Sequence, residues 1–130
     1  MTAKILWISR HEPLASQQAE LKRLFGEDVD IRIDGNPFRD ASDIQARMRE
    51  TNADAVVCVA PISVLKKLTE HGILPLVAEM AIVPKGDPRA EVEANGSGGR
   101  AGRKTRYYRF VRFQRLTGVE MRYEDVLPWR

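Results

Sequence analysis

Four short apolar runs, each closed by turn residues and spaced by segments of helical period, limit what this chain can fold into. The runs are Lys4–Ile8, Val29–Ile33, Ala55–Ala60 and Ile73–Val83. Short apolar runs bounded by turn signals read as strands buried in a parallel sheet. Between them the apolar positions recur every three or four residues. Leu14, Leu21, Leu24 and Phe25 mark a first helix, with Pro13 in its first turn and Gly26 at its end. Ser42 and Gln45 have capping-box spacing and start a second, whose buried stripe is Ile44 and Met48. Pro61 opens a third, with Ile62, Leu65 and Leu68 on one face and Gly72 at its close. Residues 1–86 thus form a βαβαβαβ core. The prediction is a small Rossmann-like α/β fold, a parallel sheet with helices on both faces. Pro75 argues that the fourth strand does not start in the centre of the sheet.

The pattern changes after Pro84. The stretch Asn95-Gly96-Ser97-Gly98-Gly99-Arg100-Ala101-Gly102 interrupts it, and residues 87–106 are expected to be a flexible Gly-rich loop or the tip of a long hairpin. Tyr107–Leu116 then reads as a strand, Thr117-Gly118 as a turn and Val119–Tyr123 as another strand. The expectation is an antiparallel, arginine-rich hairpin over residues 107–126, appended to the sheet. With 130 residues the chain is one domain rather than two.

Composition excludes several classes. No apolar run approaches the roughly 18 residues that span a bilayer, and the apolar run at the start is too short for a secretory signal. A cytoplasmic protein without a membrane partner is expected. Cys58 is the sole cysteine, so the chain builds no internal disulfide and no multi-Cys zinc site. His11 and His71 stand far apart in sequence, and neither a metal nor a cofactor is expected. Charge is uneven. Residues 100–130 carry nine Lys and Arg against three acids, whereas residues 1–99 carry twelve against fifteen. Arg100, Arg103, Lys104, Arg106, Arg109 and Arg112 lie in or next to a segment holding Tyr107, Tyr108, Phe110 and Phe113. Arginine forks suit phosphates, which makes this segment a candidate nucleic-acid surface. The competing reading is a wet strand face whose arginines blunt an edge.

In open α/β sheets ligands bind beyond the carboxyl ends of the strands, where strand order reverses. Three segments meet that edge: Ser9-Arg10-His11-Glu12, Asp34-Gly35-Asn36 and Ala60-Pro61-Ile62-Ser63. The first puts four polar residues into one strand-to-helix turn. Ser9 offers a hydroxyl, Arg10 a phosphate partner and His11 a donor or general acid/base, beside a helix N-terminus that favours anions. Glu12, Asp34, Asn36 and Ser63 are candidate ligand contacts. Asp34 is equally a turn residue before Gly35, and Ser63 a helix-start residue. Cys58, among valines, reads as buried and inert. No Gly-x-Gly-x-x-Gly and no Walker-type loop follows the first strand, which disfavours a standard dinucleotide or nucleoside triphosphate site.

The apolar first strand running into Ser9-Arg10-His11-Glu12-Pro13, in a small α/β chain, resembles the small CRISPR-associated CARF-like proteins. The motif covers residues 4–13, and the order of strands and helices covers residues 4–83. The resemblance implies a homodimer in antiviral defence that binds a cyclic oligoadenylate, with Ser9 on phosphate or ribose, Arg10 on phosphate charge and His11 donating to a leaving oxygen. Some relatives cut the ring without a metal. Whether this chain catalyses anything stays open at this stage. The other class is a binding module without catalysis, acting through the arginine-rich hairpin on nucleic acid or a partner.

Overall fold

The computed structural model describes residues 2–95 and 105–129. The elements in chain order are β1 (Lys4–Ile8), α1 (Ala15–Phe25), β2 (Asp30–Asp34), α2 (Ala41–Thr51), β3 (Ala55–Cys58), α3 (Ile62–Glu70), β4 (Leu76–Val83), β5 (Val92–Asn95) and β6 (Thr105–Arg115). They build one six-stranded sheet in the order β2-β1-β3-β4-β6-β5. The first four strands are parallel; β6 runs antiparallel to β4, and β5 antiparallel to β6. The α/β class, the parallel core and the antiparallel C-terminal addition are those expected from sequence.

Side-chain alternation along β1 splits the core into two layers. Ile5 and Trp7 pack with Leu21 of α1, Val57 and Leu76. Leu6 and Ile8 pack with Ile44 of α2, Leu68 of α3, Val56 and Cys58. Helices therefore cover both faces. At the end of α1, Gly26 has a φ of 106°, where a Cβ would also meet Asp28 Oδ1 at 3.1 Å.

Several boundaries differ from expectation, each for a local reason. The α1 helix begins at Ala15, after Pro13, and Gln17 rather than Leu24 faces the core; Leu24 is exposed. The α2 helix begins before Ser42, because Asp40 is its N-cap and accepts from the Asp43 N–H at 3.0 Å. Of the face expected on α3, Leu68 is buried but Ile62 is exposed. Pro75 ends the lead-in to the fourth strand, so β4 starts at Leu76. The third strand stops at Cys58, and Val59 leaves the sheet 79% exposed.

The largest correction concerns the C-terminus. The hairpin is β5 with β6, and residues 116–129 form no strand. β4 lines one edge of β6 from Tyr107 to Arg115, and β5 lines the other only from Thr105 to Tyr108. The alternating run from Val119 to Tyr123 pairs with no strand. Within residues 87–106, β5 occupies 92–95 and β6 begins at Thr105. The glycine stretch 96–102, with Arg100, and then Arg103 and Lys104 lie outside the described residues. One bulge shapes β6: Glu79 pairs with Arg112 but Met80 with Phe110, leaving Val111 unopposed. The extra residue turns Phe110 and Phe113 to the same side, ring centroids 4.8 Å apart, and Phe113 meets the Trp7 ring edge-on at 6.2 Å.

Candidate functional site

The chain leaves β1 toward β2 on one side, then returns to β3 on the other. The connections out of β1 and β3 run to helices on opposite faces, so a crevice opens between them at the carboxyl end of the sheet. The Ser9–Glu12 loop stands in that crevice and is pinned from below. Trp7 Nε1–H donates to the His11 carbonyl at 2.8 Å, and the His11 N–H donates to Ser9 Oγ at 3.2 Å. Beyond the loop, Gln17 Oε1 accepts the Leu14 N–H at 2.8 Å and Gln18 Nε2 donates to the Pro13 carbonyl at 3.2 Å. Leu14 has no polar side chain, so Gln17 supplies the polar partner at this helix start. The backbone is held while Arg10, His11 and Glu12 stay exposed.

Two adjoining cavities share Ile8, Ser9, His11 and Val59. The smaller, about 470 Å³, lies between the loops after β1 and β2 and is lined by Arg10, Asn36 and Phe38 as well. Among the described residues no carboxylate lines it. The larger, about 890 Å³, has an apolar floor that includes Trp7, Val57 and Met80, with Glu12, Glu91 and Glu93 around it. It opens because β4 has a register partner on β3 only at Leu76, opposite Val57. β3 ends one residue later, at Cys58, while β4 continues to Val83.

The β2–α2 loop that walls the smaller cavity is clamped by Arg47. Its guanidinium bonds the Asn36 carbonyl at 2.9 Å, the Pro37 carbonyl at 2.5 Å and both Asp43 carboxylate oxygens, and reaches Asp34 Oδ2 at 3.4 Å. Asp34 Oδ1 in turn accepts the Asn36 N–H at 3.0 Å. Asp34 is therefore a turn residue whose carboxylate is occupied, and it lines neither cavity. Ser63, exposed on the first turn of α3, lines neither either. Ser9, Arg10, His11 and Asn36 come together, with Glu12 beside them on the larger cavity.

Three further contributors carry no local signal in the sequence. Val59 is a wall shared by both cavities because β3 ends early. Glu91 accepts the Phe110 N–H at 2.8 Å and the Ser16 hydroxyl, tying β6 to the first turn of α1. Arg47 reads in sequence as one more helix-surface charge. No family model, no curated protein and no solved structure matches this chain.

The described arginines of β6 do not form one stripe. Alternation from Phe110, with the bulge, puts Arg109 and Arg112 on one face and Arg106 on the other. Arg112 Nε lies 2.8 Å from Glu79 Oε2, so its charge is partly met within the sheet. Among the described residues no group of three or more His, Cys, Asp and Glu could hold a metal ion. No described helix is long and apolar enough to cross a membrane.

Cys58 lies on the larger cavity's wall but is 3% exposed, and burial pushes its thiol up to about 11. Only the thiolate is a strong nucleophile. The native protein is expected to resist iodoacetamide at pH 7.5 for hours and to react fully once unfolded in urea; mass spectrometry of the alkylated chain checks this.

Proposed function

We propose that this chain binds a small phosphate-bearing ligand of the nucleotide class, cyclic oligoadenylates included, at the carboxyl end of β1. The observation that carries the reading is the smaller cavity, where Arg10, His11 and Ser9 meet Asn36 with no carboxylate among the described lining residues. An anion there meets a guanidinium suited to two-point phosphate contact. Ser9 Oγ accepts the His11 N–H and keeps its own proton to donate. The organic part of the ligand rests on the shared apolar wall of Ile8 and Val59. Such a ligand goes with a cytoplasmic protein. Cleavage would use the same three side chains: the ribose 2′-hydroxyl loses its proton to solvent as its oxygen bonds to the adjacent phosphorus, the bond to the 5′-oxygen breaks to leave a 2′,3′-cyclic phosphate, and His11 gives the 5′-oxygen a proton.

Calorimetric titration with cyclic tetra- and hexa-adenylate, adenosine monophosphate and inorganic phosphate tests the reading, with short RNA and DNA as controls. At least one phosphate ligand is expected to bind with little salt dependence. Arg10→Ala should weaken it about 10- to 100-fold, the effect of losing one charged hydrogen bond at 1.5–3 kcal/mol. Chromatography of the same mixtures reads turnover. No binding by any of these ligands, or an Arg10→Ala variant with unchanged affinity, overturns the proposal. Binding of RNA or DNA alone, lost steeply with salt, moves the function to the arginines of β6.

A further inference from the structure

Residues after β6 behave unlike the rest of the chain. Leu116 N–H donates to the Pro75 carbonyl at 2.9 Å, and beyond it no backbone hydrogen bond forms among the described residues. The segment nevertheless carries Val119, Met121 and Tyr123 in strand alternation, followed by Val126, Leu127, Pro128 and Trp129. Tyr123 is 86% exposed, Val126 94%, Leu127 82% and Trp129 98%. Single exposed apolar residues are ordinary; a contiguous set of them marks a contact surface. Val126, Leu127 and Trp129 have no seat on their own chain.

The same molecule holds an unfilled seat of matching chemistry. The larger cavity has room for several side chains over an apolar floor. Beside it, β4 runs from Val77 to Val83 without a strand on its β3 side, leaving a backbone edge open. Glu12 and Glu93 are exposed at the rim. The end of the tail, Val126–Trp129, is wholly apolar and brings no like charge to this rim.

We propose that the C-terminal tail, residues 119–129, docks in the larger cavity and on the open β4 edge of a second copy of this chain, which returns its own tail. The exchange is a two-fold, isologous contact built by strand addition. Its backbone bonds come from the β4 edge, and Leu127 and Trp129 are its apolar anchors. The docked tail adjoins the phosphate site, since the two cavities share Ile8, Ser9, His11 and Val59.

Sedimentation velocity from 1 to 100 µM on the full chain is the test. The wild type is expected to be a dimer. Trp129→Ala removes both Trp anchors of the two-fold contact and should weaken dimerisation about 1000-fold, at about 2 kcal/mol for each Trp. Its fold should be unchanged, since Trp129 packs on nothing. Ala94→Trp fills the cavity from an exposed position on β5 and should also give a monomer. Mixing the two variants should restore association, because the mixture pairs one intact tail with one intact cavity. A monomeric wild type overturns the proposal, even with Trp129 emission shifted to the blue, which would mean a tail folded onto its own chain. Dimers unaffected by both variants overturn it too, as they place the contact elsewhere.

Discussion

Replacing Trp7 by alanine is expected to cost about 4 kcal/mol, much of the stability of a domain this size. Trp7 is 5% exposed and packs with Ile5, Leu21, Val57 and Leu76 between the sheet and α1. Its ring also takes the edge-on contact with Phe113, which ties β6 to the parallel core. The loss would leave a cavity that neighbours on four strands and a helix cannot close together. Urea unfolding should show a midpoint far below the wild type at an unchanged slope. The informative variant is Trp7→Phe. Phenylalanine keeps most of the buried ring but has no N–H for the His11 carbonyl. That carbonyl belongs to an exposed residue and finds water, so the stability cost should be only about 1 kcal/mol. The Ser9–Glu12 loop loses its anchor, and its ordering must then come from the ligand. Phosphate-ligand affinity is expected to fall several-fold in Trp7→Phe although no ligand contact has been removed. An unchanged affinity would show that the loop does not need that bond to hold its shape.

The parallel core could be read from the chain because its signals are local. Lys4–Ile8 and Ala55–Cys58 are too short and too apolar for anything but buried strands, and Gly26 marks a helix end by its conformation alone. The Ser9–Glu12 loop was legible for the same reason: a polar turn after a buried strand must lie at the sheet's carboxyl edge. What escaped is set by long-range pairing. The four residues Val92–Asn95 carry no strand pattern and become β5 because β6 offers them an edge. Val119–Tyr123 carry the pattern and form no strand, so alternation alone does not decide pairing. Val59 continues an apolar run yet lies beyond the end of β3, with no register partner on β1 or β4. Asp34 and Ser63 sit in segments that do reach the correct edge. The demands of a turn and a helix start decide their roles instead.

That distinction explains why the arginines cannot be judged by counting. In a regular strand Arg109 and Arg112 would point to opposite faces. The bulge at Val111 brings them to one, and Arg106 is left on the other. The register then sets Glu79 opposite Arg112, a pairing that joins residues more than thirty positions apart. Cross-strand register, which a single sequence does not display, decides how much of a basic segment remains as open charge.

Arg47→Met is expected to lower the melting temperature by several degrees and to loosen the wall of the smaller cavity. The Arg47 side chain is 15% exposed and bonds the Asn36 and Pro37 carbonyls together with Asp43. Methionine keeps the stem's packing but leaves those loop carbonyls without their donor, a loss of about 2 kcal/mol. Lysine should rescue little, because one ammonium cannot replace a fork that meets two carbonyls and a carboxylate at once. The acid side gives a second readout. Asp43 is held below the ordinary carboxylate range, first by the Arg39 N–H and then by the Arg47 guanidinium. A carboxyl lowered in the folded state adds stability above its unfolded pKa and loses it as pH falls through the folded one. The gap between wild type and Arg47→Met should therefore be full at pH 7 and shrink below about pH 4, where Asp43 takes a proton in the unfolded chain. A gap that stays constant down to pH 2 would mean that the carbonyl bonds alone hold the loop. Ligand titration completes the argument: if Arg47 fixes Asn36 in the cavity wall, the variant should bind phosphate ligands more weakly while Arg10 remains in place.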